Sequence, residues 1–122
     1  MTLRVLVVDD HPAFRRALTS ALSKVADIEV AGEASGGRDA THQAAAIEPD
    51  LVIMDLSMPD QSGIDAMRDI HRTNPDLPVV ILTAYADPGM EKEARRAGAS
   101  GFLAKGSALE DLVVVLNEAA AI

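Results

Sequence analysis

Three uninterrupted apolar runs constrain this chain most: Val5-Leu6-Val7-Val8, Leu51-Val52-Ile53-Met54 and Val79-Val80-Ile81-Leu82. They are rich in branched residues, short for helices, and do not alternate with polar positions. That pattern suits strands buried on both faces, as at the centre of a parallel sheet. Ile28-Glu29-Val30-Ala31-Gly32 alternates instead, as an edge strand does, and Gly101-Phe102-Leu103-Ala104 is a short fifth candidate.

Helical patterns lie between these runs. Phe14, Ala17, Leu18, Ala21, Leu22 and Val25 keep the i, i+3, i+4 spacing of one apolar face, and Pro12 fits the first turn. Ala40, Ala44 and Ile47 mark a weaker second helix. Ile64, Met67 and Ile70 mark a third that ends near Asn74-Pro75. Asp87-Pro88 reads as an N-cap and first-turn proline opening a fourth helix, which stops at Gly98. In the fifth segment Val113-Val114-Val115 has the look of a strand. Ser107-Ala108-Leu109-Glu110 reads as a capping box, and with the Leu109, Leu112, Leu116 spacing it favours a helix. Five strand–helix units predict a parallel α/β sheet with helices on both faces. The 122 residues fit one domain, 1–122, with no linker, repeat or low-complexity segment.

Of the two common doubly wound strand orders, the five-stranded one is 2-1-3-4-5, and its ligands bind beyond the carboxyl ends of the strands at the reversal between strands 1 and 3. Asp9 and Asp10 follow the first run and Asp55 follows the third; Thr83 and Lys105 follow the fourth and fifth on the same edge. Three adjacent carboxylates repel one another unless a counter-charge is present. A hard divalent cation such as Mg²⁺, an oxygen-seeking ion, resolves the repulsion. An aspartate can also act as a nucleophile and form an acyl phosphate. Lys105 would then neutralise phosphoryl charge and Thr83 would donate a hydrogen bond to it.

Taken singly, each of these residues has an ordinary reading. Asp9 and Asp10 suit a solvated strand end and helix cap, Asp55 suits loop punctuation, Thr83 a β-former, and Lys105 a surface lysine. Their joint placement on one edge carries the functional reading. The histidines, His11, His42 and His71, are too widely spaced for a local metal motif and read as surface or helix-end residues.

Composition narrows the partners. The net charge is −8, with 11 Lys and Arg against 19 Asp and Glu. Nucleic-acid binding by this chain, which needs clustered cations, and docking on an anionic membrane are therefore not expected. With no cysteine, disulfides and thiolate metal sites are excluded. The first residues reach Asp9 and Asp10 too soon for a signal peptide, and no apolar run approaches the roughly 20 residues of a membrane span. A cytoplasmic location is the expectation.

The ordered tokens now on the page resemble one family. Val7-Val8-Asp9-Asp10-His11-Pro12, Asp50-Leu51-Val52-Ile53-Met54-Asp55-Leu56-Ser57-Met58-Pro59, Gly63, Ile81-Leu82-Thr83-Ala84 and Gly98-Ala99-Ser100-Gly101-Phe102-Leu103-Ala104-Lys105 are similar to response-regulator receiver domains of the CheY-like (βα)5 fold. The wording of the first and last resembles the NarL/FixJ (LuxR-type) branch. The resemblance covers essentially the whole chain. It implies that Asp55 accepts a phosphoryl group from a sensor histidine kinase or phosphotransfer protein. It implies that Asp9, Asp10, Asp55 and the backbone carbonyl of Ser57 hold Mg²⁺, that Thr83 and Lys105 engage the phosphoryl oxygens, and that Thr83 and Phe102 switch the surface of the fourth helix, fifth strand and fifth helix. Such a chain is a phosphoacceptor that assists its own phosphorylation and dephosphorylation rather than an enzyme with a separate substrate. The implied output is transcription through a DNA-binding domain outside these residues.

The fourth helix looks suited to moving, because its apolar face is mainly Met90, Ala94 and Ala97. The fifth carries apolar residues on more than one face, including Val114 and Val115, and is a candidate surface for a phosphorylation-dependent homodimer or an output domain. Two positions depart from the family pattern: Gly106 stands where a cis proline often follows the lysine, and Phe102 where tyrosine is common. Ser57 and Tyr85 sit where they would tune phosphate hydrolysis.

Three rivals stay open on sequence. An aspartate-nucleophile phosphatase of the haloacid dehalogenase type would carry its nucleophile after strand 1 with a second Asp two residues on, whereas His11 and Pro12 follow Asp10. A pseudo-receiver would have lost some of Asp10, Asp55, Thr83 and Lys105. A flavodoxin-like nucleotide binder would need a glycine or hydroxyl run after strand 1 to cradle phosphate.

Overall fold

A computed structural model describes residues 2–121. Strands and helices alternate throughout. The strands are β1 (Leu3–Val8), β2 (Ile28–Ala34), β3 (Leu51–Asp55), β4 (Val79–Thr83) and β5 (Gly101–Ala104). The helices are α1 (Pro12–Ser23), α2 (Gly37–Ile47), α3 (Gly63–Thr73), α4 (Pro88–Ala97) and α5 (Leu109–Ala120). The sheet is parallel in the order β2-β1-β3-β4-β5. The expected topology is the observed one.

Side chains of a strand point alternately to its two faces. Val5, Val7, Leu51, Ile53, Val80 and Leu82 join Leu18 and Leu22 of α1 and Leu112 and Leu116 of α5 in one core layer. Leu6, Val8, Val52, Met54, Val79 and Ile81 join Ala40 of α2, Ala66, Met67 and Ile70 of α3 and Ala94 of α4 in the other. Every residue of β3 and β4 is buried, which is why these runs lack polar alternation. β2 lies at the edge, as its pattern predicts, with a bulge where Val5 pairs with Val30 but Leu6 with Gly32.

Helix termini follow local chemistry in part. Asp87 Oδ1 accepts the Met90 N–H (2.9 Å) and opens α4 as expected. Ser62 Oγ accepts the Asp65 N–H (3.1 Å) at the start of α3. The capping box expected at Ser107 does not form. The Ser107 N–H is engaged by the Ala104 carbonyl (3.1 Å) in the turn after β5, so α5 begins one residue later, with Ala108 at the N-cap and no side-chain cap. α1 likewise stops at Ser23, and Val25 packs against the core from the turn beyond. Val113-Val114-Val115 is helical, as the spacing predicted. Val115 faces β5, with Cγ1 2.8 Å from where a Cβ on Gly101 would stand, so of the two valines proposed as surplus surface only Val114 is exposed.

Candidate functional site

β1, β3, β4 and β5 all end on one edge of the sheet, and each delivers a polar side chain there. Asp9 follows β1 directly, and its N–H extends the pairing to the Ala34 carbonyl (3.1 Å). Asp55 closes β3, in step with Leu51 and Ile53; Thr83 closes β4, in step with Val79 and Ile81. Lys105 is carried in by β5, and its N–H donates to the Thr83 carbonyl (2.8 Å). Asp9, Asp55 and Thr83 are the only buried polar or charged residues among those described, with exposures of 2%, 3% and 4%. Gly63 lies so close beneath this edge that a Cβ there would collide with the Asp55 carbonyl oxygen.

The buried charges are partly matched. Lys105 Nζ stands 2.7 Å from Asp9 Oδ2 and 3.4 Å from Asp55 Oδ1. Its ammonium also lies 4.7 Å from the centre of the Phe14 ring, a cation–π distance. One cation does not neutralise this many carboxylates. Burial, and then the neighbouring charge of Asp9, push the Asp55 carboxyl up to about 6 from an ordinary 3.8, with Lys105 pulling the other way.

The donors fit a hard divalent cation. Asp9, Asp10, Asp55 and His11 each offer a ligand atom, and these atoms lie within 4.8 Å of one another. Asp10 Oδ1 and Asp55 Oδ2 are buried carboxylate oxygens with no hydrogen-bond partner. Such orphaned acceptors are costly unless something electropositive meets them. Ser57 lies in the exposed part of the loop after β3.

The structure thus brings together Asp9, Asp10, Asp55 and Lys105, with Thr83 beside them in the sheet. Phe102 sits one strand over from Ile81, buried in the layer of α2, α3 and α4. Tyr85 is 83% exposed; its N–H donates to Thr83 Oγ1 (3.3 Å). No peptide among the described residues is cis, so the loop through Gly106 turns without one.

The three histidines stand at the surface or at helix ends, as expected. His42 is exposed, His71 is in the last turn of α3, and His11 is the exposed N-cap of α1. Its Nδ1 lies 3.2 Å from Asp9 Oδ1 and 3.3 Å from Asp10 Oδ1. This adjacency to Asp9 and Asp10 is not visible in the spacing between histidines. Arg15 was also missed. Its Nη1 donates to the Asp9 carbonyl (2.6 Å) and its Nε to Glu33 Oε1 (3.1 Å), tying the β1–α1 turn to β2. It lies one turn into α1 behind Asp10 and His11, and only that offset could have suggested it.

Comparison with known proteins agrees with this geometry. Residues 5–117 match the response regulator receiver domain family. The chain is 35% identical to the response regulator GacA of Pseudomonas aeruginosa over 116 residues, 95% of this chain and 54% of that protein. It is 38% identical to the chemotaxis protein CheY of Thermotoga maritima over 118 residues, 97% of this chain and 98% of that one. The chain therefore spans about half the length of GacA and nearly all of CheY. A LuxR-family two-component response regulator from Aurantimonas sp. SI85-9A1 superposes with a TM-score of 0.94 at 30% identity, covering 98% of this chain and 86% of the other. With acidic residues at the ends of β1 and β3, a hydroxyl at the end of β4 and a lysine after β5, and with that match along its length, the chain belongs to the response regulator receiver domain family.

Proposed function

We propose that Asp55 is the phosphoacceptor of this receiver domain. The observation that carries the reading is the Asp55 carboxylate itself: almost fully buried at the end of β3, one oxygen 3.4 Å from Lys105 Nζ and the other without a partner in a cluster of metal-capable carboxylates. A carboxylate oxygen attacks the phosphorus of a phosphohistidine on a sensor kinase or phosphotransfer protein. The P–N bond breaks, its electron pair stays with the imidazole nitrogen, and an acyl phosphate forms. Mg²⁺ held by Asp9, Asp10, Asp55 and the Ser57 carbonyl would supply charge neutralisation and Lewis acidity. Lys105 would meet one phosphoryl oxygen, and the Thr83 hydroxyl would donate to another.

The same reading makes the surface of α4, β5 and α5 the output. Phosphorylation adds roughly two negative charges. Thr83 and Phe102 belong to the same side of the sheet, and α4 is anchored there by one buried residue, Ala94, so little apolar area opposes its displacement. The signal would pass, in the cytoplasm, to a DNA-binding domain or a second copy of the chain through this surface. Similarity to GacA and to the LuxR-family structure supports a transcriptional output.

The test is incubation with acetyl phosphate and Mg²⁺, read by intact mass beside Asp55→Asn. The parent should gain the mass of one HPO₃, the variant should not, and chelation should abolish the gain. An adduct on both proteins would remove Asp55 from the role.

A further inference from the structure

We propose that His11 supplies a nitrogen ligand to the divalent-cation site, which gives this receiver a preference for imidazole-seeking metals such as Ni²⁺ over Mg²⁺. The inference deepens the reading of the carboxylate cluster as a metal site and rests on it. The geometry has three parts. His11 Nδ1 is turned inward, 3.2 Å from Asp9 Oδ1 and 3.3 Å from Asp10 Oδ1. Neighbouring ligands of an octahedral ion with metal–ligand distances near 2.1 Å stand about 3.0 Å apart, so these separations are those of adjacent ligands. Asp10 Oδ1 is buried but not hydrogen-bonded to the ring despite that proximity, and Asp55 Oδ2 is a second partnerless oxygen on a residue only 3% exposed. His11 Nδ1 is within hydrogen-bond distance of Asp9 Oδ1, and one ligand atom from each of Asp9, Asp10, His11 and Asp55 lies within 4.8 Å of the others, close enough to share one ion.

The backbone keeps the ring there. His11 is the N-cap of α1, held extended before Pro12, and its N–H donates to Asp9 Oδ1 (2.8 Å). Arg15 fixes the Asp9 carbonyl from behind. The ring is two-thirds exposed on its outer side, so Nε2 can remain in water while Nδ1 faces inward. An all-oxygen site suits Mg²⁺, whereas an imidazole among carboxylates raises affinity for later first-row metals, with Ni²⁺ well above Mn²⁺.

The experiment is titration calorimetry on the untagged full chain with Ni²⁺ and with Mg²⁺, for the parent, His11→Ala and Asp10→Ala. The expected result is that His11→Ala weakens Ni²⁺ binding by about tenfold or more while leaving Mg²⁺ within about threefold, and that Asp10→Ala weakens both. Equal weakening of the two metals by His11→Ala would make the ring a hydrogen-bond donor to Asp9 and overturn the proposal. Ni²⁺ binding that survives Asp10→Ala would place the metal on His42 or His71 and overturn it too. No binding of either metal by the parent would instead strike the underlying metal-site reading, a failure distinct from a loss of selectivity alone.

Discussion

Lys105 sits closer to Asp9 than to Asp55: its Nζ is 2.7 Å from Asp9 Oδ2 and 3.4 Å from Asp55 Oδ1. The lysine is therefore first a counter-ion that lets a carboxylate survive in the sheet edge. Breaking a buried pair by removing one partner strands the other charge. Lys105→Met should cost on the order of 3 kcal/mol in metal-free urea denaturation, and should also suppress the phosphoryl adduct. Unchanged stability would mean that solvent already screens Asp9.

Asp55 makes the opposite contribution. Its folded-state pKa of about 6 exceeds the ordinary 3.8, because burial and Asp9 disfavour its charge. The folded state thus holds this proton more tightly than the unfolded chain does. The associated stability is fully present below the unfolded value and is lost as pH rises through 6. Asp55→Asn has no charge to bury. In chelator it should be more stable than the parent at pH 7–8 by up to ~3 kcal/mol, with the gap closing below about pH 4. A constant gap across that window would contradict the assignment.

Asp60, in the β3–α3 loop, caps a helix it does not belong to. Its two carboxylate oxygens accept the N–H groups of Gly37 and Arg38, each at 3.1 Å, at the start of α2, where Gly36 offers no side chain. Those backbone donors, Arg38 first, hold the Asp60 carboxyl below its usual range. Asp60→Ala should cost about 1 kcal/mol at pH 7. A depressed pKa gives stability above the unfolded value that is lost as pH falls through the folded one, so the deficit should disappear in acid. A deficit that persists there would point to packing instead.

Val114 and Val115 separate the outer and inner faces of α5. Val114 is 54% exposed, whereas Val115 packs over Gly101 of β5. Val115→Glu should lower stability by roughly 1–2 kcal/mol, because a charge would replace a half-buried valine packed over β5. Val114→Glu should stay within about 0.5 kcal/mol. If α5 is a dimer surface, Val114→Glu should also abolish self-association of the phosphorylated chain by light scattering. Retained association would move the interface elsewhere.

Much of this was legible in the sequence because the apolar runs end where the chemistry begins. The runs before Asp9, Asp55, Thr83 and Lys105 fixed both the strands and the edge on which the polar residues meet. What was not legible depends on contacts between distant segments or on competition for one donor. Nothing local tells that Asp60 reaches back to α2, or that the Phe14 ring lies near Lys105. The Ser107 motif fails because its N–H is already used by the turn closing β5. The exposed helix-end position of His11 was legible, but its approach to Asp9 and Asp10 was not, because the spacing between histidines carries no information about it.

The bulge in β2 opposite Val5 and Leu6 has a consequence for the whole edge. An extra residue in the outer strand slides the later half of β2 along β1, so that Ala34 pairs with Val8 and its carbonyl meets the Asp9 N–H. That single unpaired residue is slack in the length of the strand. Deleting Ala31 would leave Gly32 opposite Leu6 and Ala34 opposite Val8, so the strand can lose that residue while Glu33 stays beside Arg15 and the turn carrying Asp9, Asp10 and His11 keeps its anchor.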